Sequence, residues 1–585
     1  MLLALLAAAW AGAVHARSAA PVGIEDWCPR PTPSGVVSQP RELESRDGVL
    51  MVDLRLRSYR SADGSVRYCY LSADAQSPTL RLHPGDLLQL RLKNELTDLD
   101  PAHAAMPGMT MTPASRGADP HHSSADHAGR SDPCNSVAMT GVSTNLHFHG
   151  LTVPARCHED EVLKTSIQPG DPPFEYRFRI PANEPPGLYW YHPHIHGFSS
   201  RQVMGGASGA LIIEGIERAV PQVAGLPERV LVIRDQDLLN PNAAPSKSEP
   251  VVPHTLIDRD GDSANNGTGF GRPAKDLSIN FVPVPWPDYP PALIRLKPGA
   301  HELWRVLNAS AITYLNLALI YGRAPQQLGL VGIDGVPMQR SSHTAPVTWV
   351  DHIGVPPGAR VEFIVSGPDE GVPAMFVTRT VDTGQGGEND PNRALAKIIA
   401  APDATEPPPL PAFQTPLPVP SLTWLGDAQP ARVRKLYFSE KLDDPNDPNS
   451  ATTFYVTVDG QTPKAFDPAD GPNIVAQQGD VEDWIIENRS TELHAFHIHQ
   501  LHFMLVAWNG VPVNEPFLRD TVNVPYLNGR MLQYPSVRVR MDFRDPDIVG
   551  TFVYHCHLLE HEDAGMMGTI RVDPRPGIAQ PLKLQ

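Results

Sequence analysis

Apolar residues along the chain occur mostly in short runs bounded by proline and glycine. Two examples are Arg229-Val-Leu-Val-Ile-Arg234 and Val361-Glu-Phe-Ile-Val365. Short runs rich in Val and Ile between turn residues are typical of β-strands. The sequence has no long stretch of helical periodicity. The pattern therefore predicts an all-β protein.

Composition supports many short strands joined by rigid loops. The chain has 63 prolines among 585 residues, roughly twice average usage. Proline is disfavoured inside helices and in central strands. A chain of this length is too long for one core and predicts about three or four domains. The formal net charge of -17, without a run of Lys or Arg, argues against nucleic acid and anionic membranes as partners.

The N-terminal residues 1–16 form an apolar stretch that ends in a small-x-small pattern at Ala16. This resembles a signal peptide, although the usual positive leader is missing, and a buried strand is the alternative. No later segment has the roughly 20 apolar residues of a membrane span. We therefore expect export to an oxidising compartment, the periplasm or the exterior, without a membrane anchor.

The five cysteines divide into one residue within a histidine-rich segment, Cys556, and four others. An even number of cysteines in an exported protein favours disulfides, although four free thiols are the alternative. Three pairings of Cys28, Cys69, Cys134 and Cys157 are possible. Cys134 and Cys157 flank the first histidine motif nearly symmetrically, which favours Cys134–Cys157 together with Cys28–Cys69.

Twelve of the 23 histidines fall into four short segments, two in the first third of the chain and two near its end. Imidazole, thiolate and thioether together are a ligand set that suits copper. The split predicts a site assembled where the first and last domains meet. The segments are His147-Phe-His149-Gly, His192-Pro-His194-Ile-His196-Gly, the run from His494 through His497 and His499 to His502, and the run from His555-Cys556-His557 through His561 to Met566.

Eight of these histidines form four pairs in which the second member follows two residues after the first. Alternate side chains of a strand point to the same face, so each pair is expected to share a face and bridge neighbouring metals. Eight imidazoles are too many for one ion and suit three. The pairs are His147/His149, His192/His194, His497/His499 and His555/His557.

The segment around Cys556 has the composition of a blue-copper site, which needs two imidazoles, a thiolate and a weak axial ligand. Cys556, His561 and Met566 can supply three of these ligands, and His494 is the candidate for the fourth. The neighbours of Cys556 in the chain, His555 and His557, would face away toward other metals. This arrangement gives single electrons a covalent path from the thiolate.

In these four segments the chain resembles the multicopper oxidases, the laccase-like family, of the bacterial three-domain type. The match extends to Thr144-Asn-Leu-His-Phe-His-Gly and Gly187-Leu-Tyr-Trp-Tyr-His-Pro-His. It covers the first and third domains well and the middle one by architecture only. The resemblance implies three cupredoxin-like Greek-key β-sandwich domains at residues 17–218, 219–400 and 422–585, with a Pro-rich linker at 401–421.

The resemblance also implies a role for each ligand around four copper ions. His494, Cys556 and His561 would bind the type 1 copper with Met566 as axial ligand, and His147 and His497 the type 2 copper. One type 3 copper would be held by His149, His192 and His557, and the other by His194, His499 and His555. His196 and His502 fall on positions that the family does not use as ligands.

Two carboxylates resemble the acidic positions from which the family supplies protons to oxygen, Glu562 and Asp160. Glu159 is an alternative to Asp160, because the stretch His158-Glu-Asp-Glu161 is longer than the usual pattern. A solvated acidic loop is a competing interpretation for this stretch.

Two insertions have unusual compositions. Residues 101–141 are rich in His and Met and could capture cuprous ion, because thioethers favour it, or could be an insertion without function. Residues 258–267 contain spaced acidic side chains such as Asp258 and Asp262. They offer oxygen ligands for calcium but lack the terminal glutamate of an EF-hand loop, so a plain acidic turn is favoured.

The resemblance implies an enzyme that oxidises phenolic or aromatic substrates by one electron near an exposed His561 and reduces dioxygen to water. We expect a monomer. A cuprous or other metal-ion oxidase acting in copper tolerance is the alternative. A copper-binding or electron-carrier protein without oxygen chemistry would need only the Cys556 site, and the eight paired histidines argue against it.

Overall fold

The computed structural model describes residues 26–99, 132–136, 139–244, 272–338, 347–412, 415, 423–444, 450–515, 517–529 and 531–577. Within these ranges the chain forms 35 strands and four short α-helices, so the all-β prediction is confirmed. None of the described helices is long and apolar enough to cross a membrane. Residues 1–16, most of the 101–141 insertion, residues 413–414 and 416–421 of the linker, and the acidic stretch 258–267 lie outside the described residues.

The strands fall into three consecutive groups along the chain. The first group comprises β1 (Glu42–Glu44), β2 (Val49–Arg60), β3 (Val66–Ser72), β4 (Ala75–Gln76), β5 (Thr79–Leu82), β6 (Leu87–Glu95), β7 (His147–His149), β8 (Phe174–Arg179), β9 (Gly187–His192) and β10 (Gly209–Ile213). The second comprises β11 (Glu228–Gln236), β12 (Asp276–Ile279), β13 (Val282–Val284), β14 (Ala292–Leu296), β15 (His301–Asn308), β16 (Leu315–Tyr321), β17 (Ala324–Pro325), β18 (Leu328–Ile333), β19 (Val336–Pro337), β20 (Thr348–Val350), β21 (Ile353–Val355), β22 (Arg360–Ser366), β23 (Ala374–Thr378) and β24 (Arg393–Ala400).

The third group comprises β25 (Arg432–Leu442), β26 (Thr452–Val458), β27 (Ile474–Gln477), β28 (Val481–Asn488), β29 (His494–Ile498), β30 (Phe503–Trp508), β31 (Val511–Pro512), β32 (Thr521–Val524), β33 (Ser536–Asp542), β34 (Gly550–Cys556) and β35 (Met567–Asp573). The helices are α1 (Ser199–Met204), α2 (Ile216–Ala219), α3 (Thr423–Asp427) and α4 (Leu559–Asp563). The strand-like runs at 229–234 and 361–365 are β11 and β22, as the sequence predicted.

Each group builds two sheets, and part of the strand arrangement recurs in all three groups. The orders in space are β4-β3-β2-β6-β8 and β1-β5-β10-β9-β7, then β13-β12-β11-β15-β22-β18-β19 and β14-β24-β23-β16-β17, then β26-β25-β28-β33-β30-β31 and β27-β35-β34-β29-β32. One parallel pairing recurs in the first sheet of each group, as β2 with β6, β11 with β15 and β25 with β28. Another recurs in the second sheet, as β5 with β10, β14 with β24 and β27 with β35.

The two sheets of each group face each other across one shared core. In β2 the side chains alternate, with Leu50, Val52, Leu54 and Leu56 buried among residues of both sheets. The second and third groups have corresponding cores. Two sheets that share one apolar core form a sandwich. We propose that each sandwich is one domain, with the boundaries predicted above.

Two disulfides fasten the first sandwich. Cys28 pairs with Cys69 of β3, with Cα atoms 6.1 Å apart, and Cys134 pairs with Cys157 at 5.5 Å. Both favoured pairings are confirmed, and Cys556 is left as the free cysteine. The second disulfide anchors the segment on either side of β7, where the first histidine motif lies.

A core tryptophan of the middle sandwich provides a test of this packing. Trp304 is fully buried against Phe363 and Phe376. Trp304→Ala should lower the free energy of unfolding of this sandwich by about 3–5 kcal/mol, because a large cavity replaces the ring. Trp349 is 53% exposed, and Trp349→Ala should cost less than about 1 kcal/mol. Equal losses in denaturant unfolding of the two variants would contradict the packing.

Candidate metal centre

The four histidine segments lie on or next to paired strands of the first and third sandwiches. In the first, β7 pairs with β9 and places His147 opposite His192. In the third, β29 pairs with β34 and places His497 opposite His555. The register of each strand pair thus brings two motifs that are distant in sequence side by side.

The prediction that every pair shares one strand face is wrong for three of the four pairs. His147 and His149 both lie in β7, but His194, His499 and His557 follow just after the ends of their strands. The strand before His194 ends at His192, because the next residue, Pro193, lacks the N–H needed for a ladder. In these three pairs the second histidine therefore lies in the loop that follows the strand.

Histidines of the first and third sandwiches interleave. The His147 ring stacks on His499 with centroids 3.7 Å apart, and the His149 ring stacks on His497 at 3.9 Å. The ring centroids of His149 and His557 are 5.0 Å apart, and those of His194 and His555 are 5.1 Å apart. The two ends of the chain therefore converge on one cluster, which we call the histidine nest: His147, His149, His192, His194, His497, His499, His555 and His557.

Within the nest, three groups have ligand atoms that all lie within 4.8 Å of one another. Two of the groups contain the same histidines that the resemblance assigns to the type 3 copper ions, and the remaining group contains the type 2 pair together with His149. The groups are His149/His192/His557, His194/His499/His555 and His147/His149/His497.

The chemistry of the nest fits a metal cluster. Its rings are at most 2% exposed, and burial lowers the pKa of nine of the ten predicted histidine ligands, so they are neutral donors. For His192 and His194 the pKa falls to about 3 and about 4. Ring nitrogens of His147, His149, His192, His497, His499 and His557 have no hydrogen-bond partner within the described part of the chain. Buried polar atoms without partners are costly, and metal ions would satisfy them. The nine histidines are His147, His149, His192, His194, His494, His497, His499, His557 and His561.

Hydrogen bonds to the outer nitrogens orient the rings. Nδ1 of His147 lies 3.0 Å from Asp160, and Nδ1 of His497 lies 2.8 Å from the carbonyl oxygen of Asp520, so Nε2 faces the nest in both. His149 is reversed: its Nε2 lies 3.2 Å from the Asp520 carboxylate and its Nδ1 is left for the nest. Such outer partners fix the tautomer of a ligating histidine.

A second cluster lies beside the nest, the Cys556 site formed by Cys556, His494 and His561. Sγ of Cys556 is 3.6 Å from Nδ1 of His494 and 4.0 Å from Nδ1 of His561, and the two nitrogens are 3.3 Å apart. Burial raises the pKa of Cys556 to about 12, so the thiolate needs a bound cation. Met566 is fully buried in the core around Cys556, and its carbonyl accepts the Cys556 N–H.

His561 is less accessible than predicted from the sequence. Its side chain is 9% exposed, because the Phe454 ring stacks on it at 4.0 Å. Its Nε2 lies 3.6 Å from Oε1 of Glu492. Burial, and then a hydrogen bond to Glu440, raise the pKa of Glu492 to about 10. The expectation of an exposed histidine is wrong, although this ring is still the most accessible of the predicted ligands.

The two predicted carboxylates are both buried and contact different histidines of the nest. Asp160 accepts hydrogen bonds from Phe148 N and Gln500 Nε2 in addition to its contact with His147. Oε2 of Glu562 lies 3.0 Å from Nδ1 of His555, and Oε1 lies 3.6 Å from Nε2 of His194. Burial would raise the pKa of Glu562, but its close contacts with the His194 and His555 rings favour the carboxylate and bring the pKa below its usual range. Burial raises the pKa of Asp160 well above its usual range.

Two histidines of the four segments lie outside the nest. His196 packs against Phe466, and His502 donates to the carbonyl of Asp334.

Other residues around the centre carry no motif that sequence reasoning could have used. Asp520 contacts two nest histidines but lies just before β32, in a segment with no spacing pattern. Gly358 of the middle sandwich also touches the nest, because a Cβ at this position would lie 2.6 Å from Nε2 of His557.

Comparison with known proteins identifies the family. Models of multicopper oxidase domains match residues 135–218 and 439–576. A multicopper oxidase of Staphylococcus aureus is 24% identical over 74% of this chain and 77% of its own length, and a laccase of Haloferax volcanii is 23% identical over 73% and 66%. The solved structure of a Campylobacter jejuni multicopper oxidase, described as a metallo-oxidase, superposes with a TM-score of 0.60 at 22% identity, covering 93% of this chain and 96% of that chain.

The chain belongs to the multicopper oxidase family. Its three sandwiches have the cupredoxin-like fold of that family. Members are copper-dependent oxidoreductases that take electrons from small molecules or metal ions and pass them to dioxygen.

Gly358 gives a direct test of how tightly the middle sandwich packs on the nest. Gly358→Ala should lower the copper content per chain, because the new methyl group would displace the His557 ring. Gly322→Ala is the matched control: both glycines have positive φ, but nothing lies within 4 Å of a Cβ at 322. Both variants carry a similar backbone strain of about 1 kcal/mol. Equal copper contents in elemental analysis of the two purified proteins would contradict the contact.

Proposed function

We propose that this protein couples the one-electron oxidation of phenolic or aromatic substrates to the four-electron reduction of dioxygen to water. The predicted ligands would hold four copper ions: a type 1 copper at the Cys556 site with Met566 as axial ligand, and one type 2 and two type 3 copper ions in the histidine nest. Bound copper supplies the one-electron steps that connect a reducing substrate with dioxygen.

One observation carries this proposal: Cys556 lies between two nest histidines in the chain. His555 belongs to the group with His194 and His499, and His557 to the group with His149 and His192. The thiolate is therefore joined through a few covalent bonds to both groups. A carrier protein without oxygen chemistry would have no use for this connection, so an oxidase is favoured.

The carboxylates beside the nest are suited to proton transfer. Reduction of dioxygen to water consumes four protons, and the nest is buried from solvent. Glu562 can accept a proton and pass it on at Oε2, 3.0 Å from Nδ1 of His555. Asp160 is buried next to His147, and we propose it as the second proton-transfer residue. Glu159 has no contact with the nest among those found in the described chain.

A metal-ion oxidase is the second candidate, and the carboxyl groups beside His561 favour it. Glu492 lies 3.6 Å from the ring, its Oε1 has no hydrogen-bond partner within the described residues, and Glu440 is its neighbour. Carboxylate oxygens bind cations, and the chain is acidic overall. The same groups could instead accept a hydrogen bond from a phenol. The names of the relatives, a laccase and a metallo-oxidase, are compatible with both candidates.

The remaining expectations are part of the proposal. We propose that the protein is exported, because two disulfides suit an oxidising compartment. We also propose that it is a monomer. A role of residues 101–141 in capturing cuprous ion would follow from the metal-oxidase candidate.

The proton role of Glu562 can be separated from electron entry. On copper-loaded protein, Glu562→Gln should slow oxygen consumption with a phenol by about 100-fold, the lower range for a lost general acid. Anaerobic bleaching of the blue colour by the phenol should keep its rate, because Cys556 and His561 are unchanged. Glu560→Gln, two residues earlier with a side chain 35% exposed, is the control. Unchanged oxygen consumption in Glu562→Gln would contradict the role, and no oxygen consumption by the wild-type protein with any donor would contradict the proposed function.

Substitution of Glu492 distinguishes metal ions from phenols as the substrates. If metal ions are the substrates, Glu492→Gln should raise KM for cuprous and ferrous ion by about tenfold, which corresponds to about 1.4 kcal/mol, and change phenol kinetics less than about twofold. Glu515→Gln, whose side chain is 21% exposed and paired with Arg519, is the control. The reverse pattern, with phenol oxidation impaired and metal oxidation unchanged, would assign the site to phenols.

A further inference from the structure

The middle sandwich supplies none of the predicted ligands, yet it contacts the nest with a buried arginine. Arg360 begins β22 and is fully buried. Its Nη1 lies 2.8 Å from Oδ1 of Asp520, and its Nη2 lies 2.7 Å from Oδ2. Its Nε donates to the carbonyl of Leu188 in β9 at 3.1 Å. One guanidinium therefore joins a strand of the first sandwich to a carboxylate of the third.

Asp520 carries this contact into the nest. Its Oδ1 lies 3.2 Å from Nε2 of His149, and its carbonyl oxygen lies 2.8 Å from Nδ1 of His497. The two rings come from different sandwiches and stack at 3.9 Å. Asp520 thus binds the outer nitrogen of one histidine with its side chain and of the other with its main chain. Its position sets which nitrogen of each ring faces the metals.

A carboxylate of the middle sandwich, Asp334, holds the main chain of Asp520. Asp334, fully buried in the turn between β18 and β19, accepts the N–H of Asp520 at 3.1 Å and of Thr521 at 3.2 Å. Its other oxygen accepts the N–H of Arg360 at 3.0 Å. The main chain of Asp520 and its side chain are therefore both held by residues of the middle sandwich.

Gly150, the residue after His149, packs against the ion pair of Arg360 and Asp520. A Cβ at Gly150 would collide with Nη2 of Arg360 and lie 2.8 Å from Oδ2 of Asp520. The ion pair thus occupies the space directly behind the His147-Phe-His149 segment. It packs against the backbone that presents His149 as well as against its ring.

We infer that Arg360 is a positioning residue of the metal cluster: through Asp520 it fixes the tautomers and orientations of His149 and His497. The inference rests on the proposed ligand set. Without Arg360, the Asp520 carboxylate would be buried with one charge uncompensated. It would then turn toward its remaining donors, and this movement releases the hydrogen bond that aims His149. Loss of an outer-shell partner of this kind typically weakens metal binding by 10- to 100-fold.

The test compares four proteins after copper loading and dialysis against a graded copper chelator. Arg360→Met removes the guanidinium, and Arg360→Met combined with Asp520→Asn also removes the uncompensated charge. Arg229→Met is the matched control, because Arg229 makes a buried, two-point ion pair with Glu302 in the same sandwich, away from the nest. The readouts are copper retained per chain, the type 2 electron paramagnetic resonance spectrum, and the thermal unfolding temperature of the copper-free protein.

We expect Arg360→Met to lose nest copper at a chelator concentration about 10- to 100-fold lower than wild type needs and to show an altered type 2 spectrum, while the blue colour of the Cys556 site persists. Arg229→Met should lower the unfolding temperature without changing copper retention. The double variant should recover unfolding temperature but not copper retention, because asparagine restores neutrality without restoring the arginine contact.

Two results would overturn the inference. Copper retention by Arg360→Met equal to wild type would exclude a positioning role. Recovery of both the unfolding temperature and copper retention in the double variant would show that the Arg360–Asp520 ion pair only stabilises the fold. If wild-type protein itself retains a single copper ion, the proposed function fails instead.

Discussion

The centre depends on burying eight imidazole rings at the junction of two sandwiches that are hundreds of residues apart in sequence. Burying this many polar rings is unfavourable unless their nitrogens are satisfied. Protein groups satisfy the outer nitrogens of several rings, such as the contacts of Asp160 with His147 and Asp520 with His149. The inner nitrogens of most nest rings are left without a partner in the described part of the chain. The same arrangement that is costly for the copper-free protein is the one that copper ions stabilise, so metal binding and the junction support each other.

Much of the fold and most of the centre could be predicted from the sequence. Short Val- and Ile-rich runs between prolines gave the strands, and the flanking of the first motif by Cys134 and Cys157 gave a disulfide that the structure contains. The ligand residues were found because their chemistry is local: a histidine two residues from another, or a cysteine between two histidines, is visible without a structure. The parallel pairings that repeat in all three sandwiches were not predictable in detail, because they depend on contacts between strands that are distant in the chain.

What the sequence did not reveal are contacts whose partners are single residues with no spacing pattern. In the sequence, Asp520, Arg360 and Gly358 show no pattern that distinguishes them from other residues of their type. Their role is visible only in the structure, where Arg360 pairs with Asp520 beside the nest and Gly358 packs against the His557 ring. The exposure of His561 was overestimated for a similar reason, because Phe454, which covers it, lies more than 100 residues earlier. The middle sandwich, which seemed to lack a role in the chemistry, is therefore structurally part of the centre: it touches the rings through Gly358 and fixes Asp520 through Arg360 and Asp334.

Anomalous X-ray diffraction at the copper edge, on crystals of the copper-loaded full chain, tests the central claim most directly. The account predicts three copper peaks enclosed by histidines of both the first and the third sandwich, with a fourth peak bonded to Cys556. A single peak, or peaks bound by the histidines of one sandwich only, would contradict it.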